Sequence, residues 1–327
     1  MIHILYTRDQ GKTVKELAPG ELPAVLQEAE GLLWVDISDE PAESSGAILA
    51  DQFQFHPLAV DDALNEVHLP KLDNWESYLY LVLRGVVYDQ KRYTVTMPEL
   101  DIFLGERYLV TYHYNPLASV ERVREACRDD RRSLQRGPAY LLYYLIDEMI
   151  VDYSTVVEQV EDELERLEER VLVAPTPFSQ EGILTLKRTV LRLRRTVAMQ
   201  RDVVDKLARN THELIDPMER VFFRDVHDHM VRLYDLIDNL RDLLAGLLDI
   251  YFASLNKRIN DTVKTLTIFT ALFMPLSFVT GFFGMNFFRP FFALPTWTGP
   301  VAFTLVILLM LFLPVTMFLW MRQRAWM

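Results

Sequence analysis

Between Thr265 and Met321 the only charged residue is Arg289, and this stretch limits the fold more than any other feature of the chain. It holds two apolar spans, about 265–288 and 301–321, and each reaches the roughly 20 residues a helix needs to cross about 30 Å of hydrocarbon. Lipid offers no hydrogen bonds to an open backbone, so both spans are expected to be transmembrane helices. Lys257, Arg258 and Lys264 precede the first span, while Arg322 and Arg324 follow the second. By the positive-inside rule both chain ends face the cytoplasm. The expected arrangement is a hairpin with an outer loop at 289–300, Trp297 at the interface, and a basic cytoplasmic tail at 322–327. The opening MIHILYTRDQGK has neither the basic start nor the apolar core of a signal peptide, so none is expected.

A plain anchor tolerates any apolar sequence, but the first span is patterned. Val263, Leu266, Thr270, Met274, Ser277 and Gly281 fall at steps of three and four, on one helical face. That face mixes small, hydroxyl and apolar side chains. Such a stripe fits either a seam between helices, where small residues let backbones approach, or the lining of a pore. A helical pattern begins near Met218 and meets no proline until Pro275. Residues 218–288 are therefore expected to form one stalk helix that continues into the membrane, on the order of 100 Å long.

Upstream, residues 1–130 alternate strand-like and helix-like stretches and predict a cytoplasmic α/β domain, so the whole is an α+β membrane protein. IHILYT, LLWVDIS, YLYLVLRGVVYD, TVTMPELDIFL and RYLVTYHY read as strands; AILADQFQ and HPLAVDDALN read as helices. Residues 131–217 read as a helical hairpin. Val157, Val160, Leu164, Leu167 and Val171 form a seam flanked by Glu158, Glu161, Asp162, Glu163, Glu165, Glu168 and Glu169. APTP at 174–177 breaks that helix. The next one carries Ile183, Leu186, Val190, Leu193 and Val197 between Lys187, Arg188, Arg192, Arg194, Arg195 and Arg201. Acidic and basic flanks across a proline turn predict an antiparallel coiled coil with complementary charge.

Several functions are excluded. A net charge of −12, from 46 acids against 34 bases, opposes nucleic-acid binding. Cys127 is the only cysteine, so no intrachain disulfide forms and a buried thiol is expected. The chain has no GxxxxGK[ST] phosphate loop, no GxSxG and no HExxH, which argues against ATP-driven pumping and against the common hydrolases. His227 and His229, two apart, point to different helix faces, whereas Asp225 and His229 at i and i+4 share one and could bind a metal. Asp61 and Asp62 read most simply as a solvated acidic pair.

The block NDTVKTLTIFTALFMPLSFVTGFFGMNF, followed by a second span and the end RQRAWM, resembles the CorA family of divalent-cation channels, whose signature is Gly-Met-Asn after the first of two spans. HPLAVDDALN, PAYLLYYLIDEMIVDY and FFRDVHDH resemble that family's cytoplasmic domain in the same order. The resemblance implies a funnel-shaped homopentamer in a prokaryotic-type inner or plasma membrane, acting as a channel rather than an enzyme and passing Mg²⁺, with Co²⁺ or Ni²⁺ as further cargo. It makes Gly284, Met285 and Asn286 the selectivity motif and turns the stripe into pore lining, with Asn260 at its inner end. Gly284 is placed to take a positive φ and turn the chain, freeing the Asn286 amide for the pore mouth. The resemblance also assigns Asp62 and Asp225 to a regulatory metal site between subunits, and Asp61 and Asp147 to a second one, with Mg²⁺ as ligand.

The outer loop FFRPFFALPTWTGP departs from the family pattern: it carries no acid, so no acidic ring forms at the mouth. A related branch, the ZntB-like zinc transporters, varies the middle residue of the Gly-x-Asn motif, and Met285 favours the magnesium and cobalt side. Zn²⁺ transport is the alternative. A non-conducting membrane scaffold and a tethered metalloenzyme built on Asp225 and His229 are readings of other classes.

Overall fold

The structure is a computed structural model that describes residues 1–8, 14–28, 31–65, 68–129, 136–209, 213–285 and 299–323. It divides into two units, Met1–Leu248 and Asp249–Met327.

In the first unit, strands Ile2–Thr7 (β1), Val14–Leu17 (β2), Leu32–Ser38 (β3), Lys71–Asn74 (β4) and Tyr78–Arg84 (β5) are followed by Val87–Asp89 (β6), Thr94–Thr96 (β7), Glu99–Gly105 (β8) and Tyr108–His113 (β9). Seven of them form one sheet in the order β2-β1-β3-β9-β8-β5-β4, in which only β3 and β9 are parallel neighbours. The central strands read as unbroken apolar runs because both faces of the sheet are covered. Strand β5 shows this: Leu79, Leu81 and Leu83 enter one core, and Tyr78, Tyr80 and Val82 enter the other.

The short helices Leu22–Leu26 (α1) and Pro57–Leu64 (α3) cover the second face, and Ala42–Ala47 (α2) packs on α3, where Gly46 faces Leu64. The AILADQFQ stretch, read as one helix, is the end of α2 followed by a wider π turn over Ile48–Gln52. The first face is covered by Ala118–Asp129 (α4), by Pro138–Val173 (α5), by Pro177–Arg209 (α6) and by the start of Arg220–Gly284 (α7).

Two stretches read as single strands are each split. YLYLVLRGVVYD divides at Gly85, where a Cβ would stand 2.3 Å from Leu117 Cδ2, so only glycine lets the α4 approach pass. TVTMPELDIFL divides at Pro98, which has no N–H for a ladder; its carbonyl accepts from Gly85 N–H at 2.8 Å. β6 and β7 leave the main sheet as a separate pair.

A buried polar group ties β3, β9 and α4 together. Asp36, 1% exposed, receives the Thr111 hydroxyl at 2.7 Å, His113 Nε2 at 3.2 Å and Arg124 Nη1 at 2.9 Å. Burial raises its carboxyl, but the hydrogen bond and charge of His113, with Thr111 and Arg124, outweigh that and hold it below its ordinary value.

Helices α5 and α6 run antiparallel: Leu167 meets Gly182 at one end, and Tyr153 meets Gln200 at the other. Every seam residue named from the sequence, Val157 to Val171 and Ile183 to Val197, is buried. The expected charge complementarity is not what joins them. Among the described residues no ion pair links α5 to α6; Arg194 instead reaches Asp238 of α7 at 2.6 Å. The seam puts the apolar faces together, and the acidic flank is left largely to water, except for Glu163, which is buried and held by Arg166 at 2.7 Å.

The second unit contains the far part of α7 and Pro300–Gln323 (α8). Helix α7 has 65 residues and passes through Pro275 without stopping. Both helices carry an apolar stretch of spanning length that is 0% buried. An apolar surface of that size needs a cover other than water.

Candidate ion path and acidic sites

On the membrane part of α7, Asn260, Val263, Leu266, Thr270, Met274, Ser277, Gly281 and Gly284 are all exposed. The partly covered positions are Ile268, Ala271, Leu272, Pro275, Leu276, Val279 and Phe282. At about 100° per residue these two sets lie on opposite sides of the helix. Among the described residues, therefore, none covers the stripe.

Thr270 spends its hydroxyl hydrogen on the Leu266 carbonyl at 2.9 Å, which leaves oxygen lone pairs as acceptors. Helix α7 ends at Gly284, but not as expected. Gly284 is the last helical residue and is not among the residues of positive φ. Met285 N–H continues the turn to the Phe282 carbonyl at 3.3 Å. The change of direction is thus not made at Gly284. Asn286, the outer loop up to Thr298 and the tail from Arg324 lie outside the described residues.

The four acids assigned to metal sites fall into two places. Asp61 and Asp62 are neighbours on α3, but their side chains diverge. Asp61 accepts from Asn65 Nδ2 at 2.9 Å. Asp62 makes a short ion pair with Lys71 Nζ and has His68 Nε2 at 3.5 Å. His68 Nδ1 stands 3.3 Å from Glu99, which Arg84 also holds at 2.7 Å. Beneath them Tyr80 donates to the buried Asp101 at 2.6 Å. Burial, with the charge of Glu99 added, pushes Asp101 well above the usual carboxylate range.

Asp147 of α5 and Asp225 of α7 converge on one histidine. His229 Nδ1 is 3.5 Å from Asp147 and its Nε2 is 4.0 Å from Asp225. Burial raises the Asp147 carboxyl and the Asp225 charge adds to this, while the His229 hydrogen bond opposes it. Tyr143 alongside is pushed up to about 12, by burial first and by both acids second.

The sheet separates the two places: α3 packs on one face, α5 and the start of α7 on the other. Among the described residues no group of three or more His, Cys, Asp or Glu side chains is arranged to hold a metal. Neither acidic place is by itself a metal site among the described residues. Sequence reasoning missed Lys71 and His68. Both follow α3 within ten residues, but no spacing rule marks a lysine on an edge strand as the partner of a helix acid.

Residues 29–323 match the family model described as "CorA-like Mg2+ transporter protein". The chain is 33% identical over 255 residues to the cobalt/magnesium transport protein CorA of Thermotoga maritima, across 78% of this chain and 73% of that one. It is 22% identical over 274 residues to the zinc transport protein ZntB of Yersinia pseudotuberculosis, across 83% of this chain and 81% of that one. The complete structure of the CorA magnesium transporter from Methanocaldococcus jannaschii superposes with a TM-score of 0.84 at 23% identity, over 100% of this chain and 99% of that one.

Proposed function

The chain belongs to the CorA-like Mg²⁺ transporter family, and from that membership we propose that it is a passive influx channel for hydrated divalent cations. Mg²⁺ is its main cargo, with Co²⁺ and Ni²⁺ also passing, across a prokaryotic-type inner or plasma membrane with both chain ends in the cytoplasm. The observation that carries this reading is the bare stripe of α7, from Asn260 to Gly281, on the side away from the partly covered face and leading to Gly284, Met285 and Asn286. Two helices cannot enclose a path shielded from lipid, so several copies are required. A homopentamer turns each stripe toward a common axis.

Mg²⁺ keeps its water reluctantly exchanged and wants oxygen around it in octahedral order. A ring of neutral Asn286 amides accepts hydrogen bonds from the ion's own water shell, so the ion enters without losing that shell. Carboxylates in the same place would hold the ion too firmly to release it. Further in, Thr270 and Ser277 offer oxygen, and Val263, Leu266 and Met274 form apolar collars that close by dewetting.

Gating follows from the divided acids. Because the sheet separates Asp61 and Asp62 from Asp147 and Asp225, a shared site needs α3 of one copy beside α5 and α7 of the next. Apposed carboxylates repel until a divalent cation neutralises them, and their oxygens are the hard donors Mg²⁺ takes. Bound metal holds the assembly closed; its loss opens it.

The second reading, Zn²⁺ transport, draws on the likeness to ZntB. Uptake into liposomes separates the two. Wild-type protein is expected to admit Mg²⁺ and Co²⁺ ahead of Zn²⁺, and Asn286→Ala to lose at least about tenfold of the Mg²⁺ rate, the size of one ion-positioning contact of about 1.4 kcal/mol. Equal flux after that substitution overturns the hydrated-ion mechanism. Zn²⁺ preference reassigns the cargo.

A further inference from the structure

Asp62 already has a cation, and the chain supplies it. Lys71, on edge strand β4, places its ammonium against Asp62 Oδ2 and holds Asp73 at 2.9 Å with the same group. The ammonium also stands 5.1 Å from the centre of the Tyr80 ring. Its side chain is 30% exposed, so the amine is seated between two carboxylates and an aromatic face rather than free in solvent. Asp225 is different. Its side chain is 56% exposed and its ionic neighbour is His229, at 4.0 Å. Of the two acids assigned to one gating site, one is neutralised in advance and the other is open.

We propose that Lys71 is a built-in competitor of the divalent cation at Asp62: its ammonium occupies the carboxylate when metal is scarce, and metal binding displaces it onto Asp73. This rests on the gating reading of Asp62 given above. The flexible four-carbon stem of lysine allows the transfer, because Asp73 already shares the ammonium and no second partner has to be found. The device has two effects. It lessens the repulsion at Asp62 without bridging to the next subunit, so that loss of metal still frees the interface, and it weakens metal affinity, so that gating responds to a higher Mg²⁺ concentration than the acids alone would set.

The test uses the full chain in lipid nanodiscs, with Mg²⁺ titrated against limited proteolysis. Lys71→Met keeps the stem over the Tyr80 ring and Lys71→Gln keeps polarity; both remove the charge. Both are expected to lower the Mg²⁺ midpoint by about fivefold, the weight of one half-buried ion pair. Lys71→Arg retains the charge and is expected to leave the midpoint at or above the wild-type value. Midpoints of both neutral variants within about twofold of wild type, or an arginine variant that shifts as they do, overturn the proposal. A wild-type chain that Mg²⁺ does not protect overturns the gating reading as well; a protected wild type with unmoved variants removes only the role of Lys71.

Discussion

Two aspartates of the same sheet, on strands that flank β9, show how partners, not burial, decide the state of an acid. Asp36 and Asp101 are 1% and 2% exposed, yet their carboxyls move in opposite directions. Asp36 has Arg124, His113 and Thr111 around it. Asp101 has the Tyr80 phenol and the repelling charge of Glu99. Because the folded Asp36 titrates below its ordinary value of 3.8, its stabilisation is fully present above that value and is lost as pH falls through the lower folded value. Asp36→Asn removes the buried counter-charge of Arg124, which keeps only the half-exposed Glu121, and is expected to cost about 3 kcal/mol at neutral pH. The deficit against wild type should shrink as the acid limb is entered, which thermal unfolding at a series of pH values measures. A deficit that stays constant down to complete acid unfolding would mean that the ion pair adds nothing beyond packing.

At the scale of elements, the hairpin of α5 and α6 depends on its apolar seam, since no ion pair joins the two helices among the described residues. Leu167 is fully buried against Gly182, while Leu172, five residues on, is 63% exposed. Leu167→Ala should destabilise the hairpin by about 2–5 kcal/mol, and Leu172→Ala by less than about 0.5 kcal/mol. Hydrogen exchange of the α5 and α6 amides reads the difference; equal protection in the two variants would contradict the seam. These helices were legible because a periodic seam repeats over many turns, and so was the long run of α7 before Pro275. The sheet was legible where both faces are covered, as in LLWVDIS. The short edge strands β2 and β4 were not, since VKEL and KLDN carry no apolar alternation and pair only because a stronger neighbour offers its edge. Helix α4 was hidden in a charged stretch, and the break at Gly85 depends on contact with Leu117, distant in sequence. Of the candidate site, the stripe could be read as a pattern and the acids only through resemblance. The Asp62 to Lys71 pair joins a helix to an edge strand, and such a pairing is set by the fold rather than by spacing.

At the scale of the whole molecule, the separation of the acids by the sheet gives the assembly a property a single chain lacks. If Asp62 and Asp225 act together, they do so across an interface, and a closed ring repeats that interface around its axis. The prediction uses two defective chains. Asp62→Asn alone and Asp225→Asn alone should each lose Mg²⁺ protection against proteolysis, because every interface in either ring lacks one acid. Mixed rings differ: where an Asp225→Asn chain presents its intact Asp62 to the intact Asp225 of an Asp62→Asn neighbour, the site is whole. Random mixing at equal amounts makes about a quarter of interfaces whole, so co-expressed variants should recover part of the protection that neither shows alone. Acids that worked within one chain would give no recovery, since no chain in the mixture has both. Recovery on mixing would therefore locate the gate between subunits without reference to the metal's coordination, and its absence, with both variants folded and assembled, would return each acidic cluster to a role inside its own chain.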